Sequence, residues 1–238
     1  MRCCFLLSLC FAAAIALLAS NPKAQKAFKD GLRYEAIAQW KEAEKAYSEA
    51  ILSDPADAPS YQHRAKARYA LADYPHALED AEAFVRMQPG SAEGYQLRGD
   101  IQHRLTDDRK ALADYSRAIE LGLDTPAIYN SRAAAHAALG EYQEALADYS
   151  IGIKLRLDDP IPIKARGNSY ASLGRYRDAI EDYDQSISLK ADYMDAHLDR
   201  GFAWGQLGDF ARAIKDFDLV LANRPKDAKP THCAAPHI

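Results

Sequence analysis

The chain has 238 residues, 48% of them apolar and 27% charged, with a formal net charge of −4. That balance excludes a disordered polyelectrolyte and is enough to build a sizeable core. It also lacks the basic excess needed to neutralise phosphates or hold an anionic membrane surface, so nucleic acid is not an expected partner.

Residues 1–19 carry a single basic residue, Arg2, before an almost unbroken apolar run over 3–19 that stops at Ser20, Asn21 and Pro22. The run reads as a signal for export, short of a comfortable spanning helix, with cleavage near Ala19 or Ser20. The alternative is an N-terminal segment kept as a membrane anchor over residues 3–19. Either way the remainder is expected outside the cytoplasm, periplasmic or secreted. Cys3, Cys4 and Cys10 lie in this segment, so cleavage leaves Cys233 alone, with no internal disulfide to form.

From residue 24 onward the chain repeats itself. An offset of 34 residues aligns Ala43, Ala77, Ala111, Ala145, Ala179 and Ala213 without insertion or deletion. Four residues later come Tyr47, Ala81, Tyr115, Tyr149, Tyr183 and Phe217, and six residues earlier Ile37, Leu71, Leu105, Leu139, Leu173 and Leu207. Self-similarity at this period marks a repeat architecture, here in units 24–57, 58–91, 92–125, 126–159, 160–193 and 194–227. Residues 228–238 show no helical pattern and read as a disordered tail.

Apolar spacing within a unit is helical with one interruption. In the fifth, Ile163, Gly167, Tyr170 and Leu173 set one stripe, Gly174 breaks it, and Tyr176, Ala179, Ile180, Tyr183 and Ile187 resume it. Each unit is therefore predicted to be an antiparallel helix pair, with prolines such as Pro59, Pro126, Pro160 and Pro225 between units where a first helical turn needs no amide donor. Glycine serves the turn at Gly140, Gly174 and Gly208, but Ala38, Ala72 and Thr106 replace it earlier. Asp108 also stands where the other units have Trp40, Tyr74, Tyr142, Tyr176 or Phe210, so the third turn is expected to be the loosest.

With Tyr129, Ala133, Leu139, Gly140, Tyr142, Ala145 and Tyr149 in one unit, and the same register in the others, residues 24–227 resemble the tetratricopeptide repeat family. The resemblance implies an all-α solenoid of six helix-turn-helix repeats, wound as a right-handed superhelix, with the first helix of each unit on its concave side. Its expected role is binding of a protein or peptide in that groove.

Five units carry Arg and Asp sixteen residues apart: Arg64/Asp80, Arg98/Asp114, Arg132/Asp148, Arg166/Asp182 and Arg200/Asp216. In a hairpin turning near its middle the two positions can face each other, although the arginine could instead meet the aspartate of the preceding unit. Both readings make the pair an interface element; the alternative is a row of charges presented to a ligand.

Candidate binding residues are those beside the core stripe of each first helix: Gln62, Lys66, Tyr69, Gln96, Asp100, His103, Arg104, Asn130, Lys164 and Asn168. Their mixture of polar and aromatic groups suits a peptide held by several shallow contacts. Lys164 and Asn168 also repeat the spacing with which one branch of the family clamps a C-terminal carboxylate, but Asp199 stands where that branch has asparagine. At the C-terminal end, Leu198, Phe202, Leu219 and Val220 suggest an uncovered apolar surface, hence self-association, with a homodimer as its simplest form.

No phosphate loop, metal-binding helix motif or nucleophile elbow occurs, so neither enzyme nor cofactor is expected. His232, Cys233 and His237 are too loosely spaced for a metal site. Two further roles stay open: a self-associating structural array, and a docking regulator of an envelope enzyme.

Overall fold

The computed structural model describes residues 21–223; residues 1–20, read as an export segment, and 224–238, with the tail expected over 228–238, lie outside the described residues. Among the described residues there are twelve α-helices and no strand. The chain divides between Asp124 and Thr125 into two compact units.

The first unit holds α1 (Pro22–Ala36), α2 (Trp40–Ser53), α3 (Ala58–Ala70), α4 (Tyr74–Met87), α5 (Ala92–Arg104) and α6 (Asp108–Glu120). The second holds α7 (Pro126–Ala138), α8 (Tyr142–Leu155), α9 (Pro160–Ser172), α10 (Tyr176–Leu189), α11 (Met194–Gln206) and α12 (Phe210–Ala222). Each odd-numbered helix pairs with the one after it, and within a unit each hairpin packs on the next. The fold is an all-α solenoid.

Helix starts follow local chemistry. Asn21, Ser91, Thr125, Asp159 and Asp209 each accept a backbone N–H of the first turn, satisfying a donor that has no helical partner. The ends at the intra-hairpin turns are equally uniform. Ala38, Ala72, Thr106, Gly140, Gly174 and Gly208 all have positive φ, between 55° and 80°. The following amide then bonds back five residues, as Arg175 N–H does to Tyr170 C=O at 2.9 Å.

The third turn is not loose, as its missing glycine and aromatic implied. Thr106 takes the same left-handed conformation, Asp108 is buried, and the His103 imidazole meets the Asp108 carboxylate across the turn. His136 and Glu141 repeat that tie at 2.7 Å in the fourth turn.

The core forms where small and aromatic residues interlock. Ala43, Tyr47 and Ala67 pack with Phe28 and Trp40, and Ala179, Ile180, Tyr183 and Ala203 pack with Tyr176 and Trp204. Approach is closest at glycine: a Cβ placed on Gly99, Gly167 or Gly201 would stand 2.7 Å from the ring of Tyr115, Tyr183 or Phe217. Glycine in the first helix thus makes room for the aromatic ring of the second.

The sixteen-residue pairs all form within their own hairpins. Arg166 donates from Nε and Nη2 to both oxygens of Asp182 at 2.8 and 2.7 Å, and Arg98, Arg132 and Arg200 grip Asp114, Asp148 and Asp216 the same way. Arg64 does so with Asp80. The aspartates are buried while the arginines keep a partly exposed edge.

The third guanidinium nitrogen settles the remaining alternative in an unexpected way. Nη1 of Arg64, Arg166 and Arg200 reaches the preceding hairpin, but its acceptors are Ser48, Ser150 and Asp184, sixteen residues earlier, rather than the arginine-paired aspartate of that hairpin. One arginine therefore pins its own hairpin and staples it to its neighbour. Hydrogen bonds from these arginines to the aspartates raise their affinity for the proton further, so the charge is permanent.

Two outcomes follow. Asp182→Ala leaves a half-buried guanidinium unpaired and lowers unfolding free energy by about 2–4 kcal/mol, with positive coupling to Arg166→Ala in a double-mutant cycle under urea. A loss below about 1 kcal/mol in both single variants would reduce the pair to a surface contact. Thr106→Gly relieves a β-branched residue at positive φ and gains about 1 kcal/mol, whereas a loss of stability would show that the turn is not strained.

Candidate functional site

Within each unit the first helices of neighbouring hairpins approach one another, as α3 does α5, α7 does α9, and α9 does α11. Their side forms the inner face on which a ligand segment can lie, so the candidate residues are taken unit by unit.

In the first unit, Gln62 and Lys66 stand one turn apart on α3, both half-buried, and Gln96 is half-buried on α5. Tyr69 and Arg104 are brought together: Arg104 Nε donates to the Tyr69 hydroxyl at 3.0 Å, with its guanidinium 5.9 Å from the ring centre. Tyr69 in turn meets Tyr74 edge-on at 5.5 Å. Asp100 accepts from the Tyr115 hydroxyl at 2.9 Å, and His103 is engaged by Asp108. Neither Asp100 nor His103 is an uncommitted ligand group; both serve their own hairpins.

In the second unit the clamp spacing is disarmed. Lys164 Nζ lies 2.7 Å from Asp199 Oδ2, so the mismatch at Asp199 becomes an ion pair joining α9 to α11. Asn168 Oδ1 accepts from the Tyr183 hydroxyl at 2.8 Å. Burial, together with the nearby Asp199 and Asp182 carboxylates, holds the Tyr183 phenol well above its ordinary range, so it remains a donor. Asn130 belongs elsewhere: its buried Oδ1 has no hydrogen-bond partner and points at Gly152 of α8, where a Cβ would come within 2.2 Å.

Between α9 and α11 lies a hollow of about 240 Å³, lined by Asn168, Ala171, Ser172, Tyr176, Asp199, Phe202 and Gln206 among others. Phe202, placed by the sequence at a self-association surface, lines this hollow instead and stacks edge-on against Phe217 at 5.2 Å. It is 58% exposed. Ser172, Tyr176 and Gln206 escaped sequence reasoning because they lie at the turn end of the hairpin, where the helical stripe gives way. A larger hollow of about 420 Å³ is lined by Asp30, Arg33, Tyr34, Ala36 and Ile37, all from α1 and the residue after it, so it has no facing wall.

The other three predicted self-association residues do not form one patch. Leu198 and Val220 are half-buried, and exposed Leu219 lies on the far side of α12 from the exposed Phe210, Ile214 and Leu221. Among the described residues no cluster of His, Cys, Asp and Glu has metal-binding geometry, and no helix is long and apolar enough to cross a membrane.

The tandem hairpins now meet an independent observation: family models match at residues 104–156 (tetratricopeptide repeat) and at residues 167–208 (TPR repeat). The chain is a tetratricopeptide-repeat protein. No curated protein sequence matches it significantly.

Solved structures share the fold. PilW, a widely conserved type IV pilus biogenesis factor, superposes with a TM-score of 0.76 at 20% identity, covering 85% of this chain and 94% of its own. YrrB, a TPR protein with an unusual peptide-binding site, gives 0.65 at 17% identity, covering 78% and 95%. A MamA fragment from Desulfovibrio magneticus RS-1 gives 0.68 at 17% identity, covering 72% and 97%. These identities establish the tetratricopeptide architecture and leave the ligand to this chain's own surface.

If Asp199 neutralises Lys164, short peptides differing only in a free or amidated C-terminus bind the wild type equally. Asp199→Asn frees the lysine and gives the carboxylate form an advantage of up to about fivefold in fluorescence anisotropy. A wild-type preference for the free carboxylate would restore the clamp.

Proposed function

We propose that this tetratricopeptide-repeat protein is a non-enzymatic scaffold that holds a segment of a partner protein on the inner, first-helix face of its second unit. The observation that carries the reading is the hollow between α9 and α11. Its walls combine an apolar part from Ala171, Tyr176, Phe202 and Ala203 with polar groups from Asn168, Ser172 and Gln206. A concave site with an apolar pocket and a few convergent polar groups suits one large apolar side chain, with the adjacent peptide backbone hydrogen-bonded at the rim.

Several features support the same reading. Proteins built of this repeat are typically non-catalytic scaffolds, and one structural relative carries a peptide-binding site. In the first unit, the Tyr69–Arg104 pair offers a flat aromatic and cationic surface beside half-buried Lys66. The apolar run over residues 3–19 supports work outside the cytoplasm, in the periplasm or as a secreted or tethered protein.

The test is capture from the native compartment with mass spectrometry, comparing wild type, Phe202→Ala with Gln206→Ala, and Glu181→Ala on the outer helix α10. The groove variant is expected to weaken capture of its main partner by about tenfold or more while Glu181→Ala does not. Equal capture by all three proteins would refute the site.

A further inference from the structure

Among the described residues that line the hollow between α9 and α11, Asp199 carries the one charge. Lys164 Nζ stands 2.7 Å from Asp199 Oδ2, but outside hydrogen-bond direction, so that buried oxygen is held by charge alone. Lys164 does not line the hollow. The ion pair therefore turns its negative end inward, and a ligand meets a carboxylate with the ammonium behind it. The Asp199 side chain is 28% exposed, so with Oδ2 enclosed it is Oδ1 that remains to accept a hydrogen bond.

The walls agree in sign. Burial first, and the Asp199 carboxylate next, hold the Tyr183 phenol above its ordinary range, the mark of a negative field at that wall. Tyr176 and the largely exposed Phe202 add aromatic faces, whose quadrupole also attracts cations.

We infer that the side chain held in this hollow is an arginine of the partner segment, its stem along Ala171, Phe202 and Ala203 and its guanidinium on Asp199. The inference rests on the binding role proposed above and specifies its occupant: the stem supplies the apolar body, and the cation its tip. A carboxylate tip would meet a like charge, and a wholly apolar one would cover Asp199 without giving it a donor. A guanidinium is planar and weakly hydrated, so it stacks on a ring while donating to a carboxylate. The second unit already uses that chemistry, with Arg212 4.4 Å from the Trp204 ring centre and Arg175 4.5 Å from that of Tyr170.

The test is an NMR titration of the full chain with N-acetyl N-methylamides of arginine, citrulline and norleucine, read at the amides of Ala171, Phe202 and Ala203. Arginine is expected to bind about fivefold more tightly than citrulline, its uncharged analogue, and more tightly than norleucine. Asp199→Asn should close that gap to within about twofold, while Lys164→Met, which removes the competing ammonium, should widen it. Citrulline or norleucine binding as tightly as arginine would leave the hollow a binding site and overturn its preference for a cation. A gap that survives Asp199→Asn overturns it too, by placing the guanidinium elsewhere. If none of the three probes shifts these amides, the binding role of the hollow falls with it.

Discussion

A two-helix hairpin of this length has two apolar sides and can cover neither by itself, and most of the structure follows from that constraint. Within each unit a hairpin is covered by the next one, which is how Ile153, packed with Ile163, and Ile180, packed with Ala203, become buried on helices that look amphipathic in isolation. Among the described residues the first and last hairpins have a neighbour on one side. The two ends of the described chain answer differently, α1 with a lysine-rich polar face and α12 with an uncovered apolar one.

Stacking by apolar contact alone would leave the register soft, because alanines slide over one another at little cost. Polar groups supply the lock. Each arginine of the sixteen-residue pair spends two nitrogens on its own hairpin, and the third nitrogen of Arg64, Arg166 and Arg200 reaches back to the hairpin before. Such a fork tolerates little displacement, since both carboxylate oxygens must stay in line with the planar guanidinium. The close approach of Gly99, Gly167 and Gly201 to their facing rings sets the spacing by contact rather than by charge. With helix positions fixed by both devices, the inner face can hold Asn168, Phe202 and Gln206 in a constant relation, as recognition of a peptide demands.

Much of this was legible in the sequence. The alanine ladder at a constant offset predicts tandem hairpins, and the matched Arg and Asp positions predict facing groups across a hairpin. Stripe periodicity could not say which polar residues are already spoken for. Asp100 and Asn168 look like free groove residues until the Tyr115 and Tyr183 hydroxyls are seen to bond to them. His103 is taken by a turn, and Asn130 turns toward Gly152. Ser48, Ser150 and Asp184 were invisible because their residue types vary while their geometric role does not. Thr106 misled differently: loss of glycine suggested a slack turn, yet the hydrogen bonds of the helix end impose positive φ on whatever residue stands there.

The central claim is that cover from both sides, rather than intrinsic helix strength, holds each hairpin. Native-state hydrogen exchange on the full chain tests it most directly. Amides of α9 and α10 should exchange most slowly in the second unit, and those of α12, covered on one side alone, markedly faster. Equal protection of α10 and α12 would mean that hairpins stand without their neighbours, and would contradict the account.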